Sequence, residues 1–180
     1  MTPELLRVMY APLDYIHPER FAKPANALPA AVEEAINHTL IQRFALETAL
    51  SFPLQTGDFS QRLVSEWKNI RRAAWLLGCK LGRGSLARTG QLATLPNMAR
   101  RFIELPIACP ACPLPAPISQ SSLELHGAGY LQLLQQQLPR ALAQRLVLLF
   151  ESDQPVDLNV ASLNRPLLNF AFDYAKNPIH

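Results

Sequence analysis

Asp58–Gly78, DFSQRLVSEWKNIRRAAWLLG, decides the fold class. Leu63, Trp67, Ile70, Ala74 and Leu77 recur at helical spacing and form an apolar stripe, while Gln61, Ser65, Lys68 and Arg72 form a polar one. Asp58-Phe59-Ser60-Gln61 has a capping-box pattern, so the helix is expected to open at Asp58 and to end at Gly78 or Gly82.

The same period appears on both sides. Upstream, Pro29 suits a first helical turn with Glu33 and Glu34 beside it, and Val32, Ile36, Leu40, Phe44 and Ala45 repeat helically until Pro53. Before that, Pro3, Pro12, Pro18 and Pro24 predict an irregular N-terminal arm. Downstream, a short helical turn is expected around Ser85–Thr89 and a helix from Pro96 to about Leu105. Ser121-Ser122-Leu123-Glu124 reads as a capping box leading through Tyr130, Leu131, Leu134 and Leu138. Pro139 restarts a helix to Phe150, and further helix is expected around Val156–Leu163 and Pro166–Lys176. Arg145–Phe150 could be a strand by composition, but it lies inside a longer helical pattern. No alternating hairpins appear, so the reading is all-α.

Between these helices lies PIACPACPLPAPI, residues 106–118, with five prolines and no charge. It must be extended or turning, and its apolar side chains predict that it lies against the rest of the chain. The expected organisation is a single compact multi-helix domain over 1–180, with helical halves at about 29–105 and 121–176. At 180 residues and 49% hydrophobic against 17% charged, the chain has the composition of a globular domain. Glu4 and Arg7 interrupt the N-terminal apolar residues, so no secretory signal is expected, and no apolar run approaches a bilayer span. These features predict a soluble, cytosolic protein.

Net charge is +3, unevenly spread. Arg62, Lys68, Arg71, Arg72, Lys80, Arg83, Arg88, Arg100 and Arg101 lie between Ser60 and Ile103 against Glu66 alone, so that segment is +8 and the remainder −5. A basic middle suggests an acidic partner surface, anionic lipid or nucleic acid; equally, it reads as the solvated faces of helices.

Catalytic and metal motifs fare poorly. Cys109 and Cys112 form a C-x-x-C without a second knuckle, so zinc would need Cys79 and one of His17, His38 or His126 from distant segments. Thioredoxin-like chemistry needs a helix directly after the motif, where Pro-Leu-Pro-Ala-Pro follows instead. Gly82–Ala87 matches a G-x-G-x-x-A fingerprint and Glu104 follows, yet the preceding residues have helical and not strand period. His17-Pro18-Glu19-Arg20 lacks metal-protease spacing, and no G-x-S-x-G elbow occurs. Neither an enzyme nor a cofactor is expected. Trp67 and Trp75 lie near the arginines, but Trp67 sits on the apolar stripe, which weakens nucleic-acid stacking.

Three blocks carry a family resemblance. They are Tyr10–Phe21 (YAPLDYIHPERF); Trp67 through Trp75–Cys79 to Leu86–Gly90 and Leu95-Pro96; and Gly129–Gln132, Leu138-Pro139, Leu142–Leu146 and Leu149-Phe150. In order and spacing the chain resembles the OrgA-like branch of the SctK family, the sorting-platform adaptors of type III secretion systems. The resemblance implies a non-enzymatic cytoplasmic adaptor beneath the secretion apparatus. It would link the cytoplasmic domain of the inner-membrane ring protein to the C-ring-like pod protein, and through the pods to the stator-like regulator and the ATPase. It implies no cofactor, no nucleic acid and no membrane insertion. On it, Tyr15, His17, Pro18, Arg20 and Phe21 are a structural signature, and Arg71, Arg72, Arg100 and Arg101 are the expected partner contacts. The alternative is a helical regulator binding nucleic acid or a structural zinc.

Overall fold

Every regular element among the described residues is helical. The computed structural model describes residues 2–24, 26–49, 59–151 and 163–177. In chain order the α-helices are α1 (Pro3–Tyr10), α2 (Ala30–Arg43), α3 (Phe59–Ser65), α4 (Ile70–Leu81), α5 (Arg83–Arg88), α6 (Asn97–Glu104), α7 (Gln120–Gln132), α8 (Arg140–Leu148) and α9 (Arg165–Ala175). They gather into two compact units, each built from two stretches of chain: Met1–Lys68 with Gln135–Asp153, and Asn69–Leu134 with Gln154–His180.

The first unit contains a helix where an irregular arm is expected. Pro3 begins α1 instead of breaking it, because a proline in the first turn gives up an N–H that has no partner there anyway. The Thr2 hydroxyl caps the helix by accepting from the Leu5 N–H, and Leu5, Val8 and Met9 are buried. α2 ends earlier than its apolar spacing suggests. Ala45 turns left-handed at φ 46°, and the Leu46 N–H closes back on the Ile41 carbonyl. The run to Pro53 and the Asp58 cap fall outside the described residues. Leu13, Ile16, Leu40, Leu46 and Leu148 form this unit's core, with Phe21, Leu28, Ile36 and Phe44 packed around it.

The long helix read from Asp58 to Gly78 is two helices. A 3-10 turn, Trp67–Asn69, separates α3 from α4, and the unit boundary falls inside it. Leu63, Trp67, Ile70, Ala74 and Leu77 are nevertheless all buried, so the stripe is real although its axis is broken. α4 is the centre of the second unit, against which α5, α6, α7 and α9 pack. Gly78 lies inside α4, and Gly82 caps its C-terminus.

The tightest packing is α4 on α7. A Cβ on Gly78 would stand 1.8 Å from the Leu123 carbonyl oxygen, and one on Gly127 would stand 1.7 Å from that of Ala74. Backbone meets backbone there, which only glycine permits. The cap of α7 lies at Ser119, two residues earlier than Ser121: Ser119 and Ser122 cap each other reciprocally. Glu124 serves instead as the partner of Arg71. α7 stops at Gln132, so Leu134 and Leu138 follow it without continuing it. The helix expected around Val156–Leu163 falls outside the described residues except at Leu163.

Residues 106–118 contain no helix and lie along the second unit. The Cys112 N–H donates to the Leu81 carbonyl at 2.9 Å, the Leu114 N–H donates to Ser85 Oγ at 3.0 Å, and the Leu114 side chain covers Gly82. The Ala116–Pro117 peptide is cis.

Candidate docking surfaces

Two buried cations organise the two units, and neither is held by a carboxylate. Arg145 lies on the apolar side of α8 with Ala141, Leu142 and Leu146 and is wholly buried. Its Nε and Nη2 donate to the Met9 carbonyl at 3.2 and 2.7 Å, while Nη1 donates to those of Glu47 and Ala141 at 2.8 Å each. The Met9 carbonyl is one that α1 leaves unpaired at its C-terminus, where the helix dipole favours a cation. Burial lowers the Arg145 pKa, while the neighbouring Tyr15, Tyr10 and Glu47 act to raise it.

Lys80 does the same in the second unit. Its ammonium donates to the carbonyls of Phe102, Ile103 and Leu105 at 3.4, 3.0 and 2.8 Å, closing the end of α6. Burial lowers its pKa, the Cys109 thiol nearby acts to raise it, and Arg83 to lower it. Sequence reasoning missed both residues as organisers. The available signal was a single charge on an apolar stripe: Lys80 within Trp75–Leu81, and Arg145 in register with Leu142 and Leu149.

The signature residues Tyr15, His17, Pro18, Arg20 and Phe21 lie in the first unit. Tyr15 donates its hydroxyl to the Val8 carbonyl at 2.8 Å and meets the Trp67 ring edge-on at 5.4 Å. Burial raises its pKa, against the pull of Arg145. The His17 N–H donates to the Leu148 carbonyl at 2.8 Å, and Arg20 donates to that of Phe150. Pro18 is exposed and Phe21 half-buried against the core. The block thus ties the chain after α1 to the end of α8.

The structure divides the expected contact arginines. Arg100 and Arg101 are exposed on α6, whose other side buries Ala99, Phe102 and Ile103. Arg71 and Arg72 on α4 are half-buried and engaged within the unit. Arg71 pairs with Glu124 at 2.6 Å, and Arg72 donates to Met98 Sδ at 3.2 Å. Cys79, Cys109 and Cys112 carry free thiols. Burial pushes Cys79 up to about 12 and Cys109 up to about 11, the latter against the pull of Lys80. Among the described residues, no three His, Cys, Asp or Glu side chains stand close enough to hold a metal. No helix among them is long and apolar enough to cross a membrane.

Among known proteins, a family described as bacterial type III secretion apparatus protein (OrgA_MxiK) matches residues 5–177. Oxygen-regulated invasion protein OrgA of Salmonella typhimurium, in strains 14028s, SL1344 and LT2, is 30% identical over 178 residues, covering 94% of this chain and 85% of the relative. No solved structure matches.

Proposed function

The chain belongs to the OrgA_MxiK family of type III secretion apparatus proteins, and from that premise we propose that it is a non-enzymatic adaptor of the sorting platform. It holds the cytoplasmic domain of the inner-membrane ring protein with one surface and the pod protein with another. The stator-like regulator and the ATPase then assemble on the pods, at the cytoplasmic face beneath the apparatus. The family match over nearly the whole chain carries this reading.

The form of the second unit supports it. Arg100 and Arg101 project from a helix whose opposite side is fixed in the core, as a docking group needs. Arg71 and Arg72 belong to the same proposal, but their internal bonds make them poor probes, because reversing Arg71 also strands Glu124.

The test is reconstitution. The purified chain, mixed with the ring protein's cytoplasmic domain and the pod protein, is expected to migrate with both as one ternary species in size-exclusion chromatography. Two separate binary complexes that never combine would refute the bridging role.

A further inference from the structure

The two units carry opposite charge. The second unit has nine Lys and Arg against four Asp and Glu, net +5, and the first has eight against ten, net −2. On the second unit the excess reaches the surface at α5 and α6. Arg83, Arg88, Arg100 and Arg101 are exposed there, with Glu104 as the exposed acid on the same two helices. Leu86 of α5 and Ile103 of α6 belong to one apolar cluster, so both helices are anchored on the same core.

Arg88 donates to Ser85 Oγ at 3.1 Å. Arg83, Arg100 and Arg101 make no ion pair with any described residue. Lys80, which closes the end of α6, has its charge met by carbonyl dipoles and cancelled by no carboxylate of a described residue. In the first unit the exposed Arg7 and Arg140 pair with Asp14 and Glu47.

Four exposed arginines against one exposed acid on these two helices favour an anionic partner. Trp67 is buried and Trp75 is half-buried in the apolar cluster, so neither offers a face for base stacking. Guanidinium groups match paired carboxylates well.

We propose that the α5–α6 surface is the docking site of one adaptor partner only, a protein face rich in Asp and Glu. The other partner is held by contacts that do not use these arginines. This rests on the adaptor reading above.

The full chain is titrated separately with the ring protein's cytoplasmic domain, the pod protein and a short DNA duplex. Each titration is run at about 50 and about 500 mM NaCl, salt conditions either side of ordinary screening. Arg83→Glu/Arg88→Glu and Arg100→Glu/Arg101→Glu are expected to raise the Kd for one protein at least about tenfold at low salt and to leave the other within about twofold. High salt is expected to close that gap. Should a variant unfold, the parent's salt titration decides alone, since only one partner's affinity should fall. Equal loss for both proteins, loss for neither, or tighter binding to the duplex overturns the proposal. A parent chain that binds neither protein overturns the adaptor reading with it.

Discussion

Replacing a buried cation by an apolar residue is often harmless when its carboxylate partner is replaced as well. Arg145 has no such partner to remove. Its acceptors are the backbone carbonyls of Met9, Glu47 and Ala141, and the first two would be left without the donor that now satisfies them. Arg145→Met is therefore expected to cost about 3 kcal/mol in urea unfolding, and Arg145→Lys to recover only part of it. A neutral or stabilised Met variant would count against this role. Cys79 gives a pH test. Its thiol pKa is raised from 9.0 to about 12 in the folded chain, so the folded state keeps a proton that the unfolded chain releases. Its contribution is fully present below pH 9 and is lost as pH rises toward 12. The parent should thus lose stability more steeply than Cys79→Ala between about pH 9 and 11, beyond a constant offset for the lost packing. Parallel curves would refute it. At this scale the sequence shows that a residue is polar on an apolar stripe. It does not show which carbonyls will meet that residue, because those come from distant turns.

Between elements, the α4–α7 crossing makes the strongest demand. Ala is a better helix former than Gly by about 1 kcal/mol, so on propensity alone any Gly→Ala change in these helices should stabilise. A Cβ on Gly84 in α5 would meet no other group within 4 Å, and Gly84→Ala is expected to gain about 0.5–1 kcal/mol. Gly127→Ala and Gly78→Ala would drive a methyl into a facing backbone carbonyl, and each is expected to cost about 3 kcal/mol or more. Thermal melts of the three variants check the contrast; a Gly127→Ala variant as stable as Gly84→Ala would mean that the helices can separate cheaply. Helix existence was legible because the apolar period is local: it located α6, α8 and α9 to within a few residues, and marked α2 and α4 without fixing the end of the one or the start of the other. Boundaries were less so. Pro3 looked like a breaker and is a helix start. Glu124 looked like a cap and is an ion-pair partner, a choice made by Arg71, fifty-three residues away.

For the molecule as a whole, the connector at 106–118 suggested halves on either side of it, whereas each unit draws on early and late chain. No periodicity reports that arrangement, because it depends on contacts such as Arg145 to Met9, across 136 residues. One consequence is testable. A chain ending at Leu134 lacks α8 from the first unit and α9 from the second, so neither core is complete. The 1–134 fragment is expected to lack cooperative thermal unfolding by circular dichroism, and a sharp transition would show that one unit closes without its late helix. The arginines proposed for docking were legible as a basic segment, but burial sorted them: Arg100 and Arg101 are exposed, while Arg71 and Arg72 are half-buried and bonded within the unit. The choice of acceptor for Lys80 and Arg145 has a last effect. Ion pairs come apart in acid because their carboxylates take up protons, but a peptide carbonyl does not titrate at any pH a cell reaches. The fastening at the heart of each unit therefore gives acid nothing to neutralise, and both should keep their hold as the pH falls.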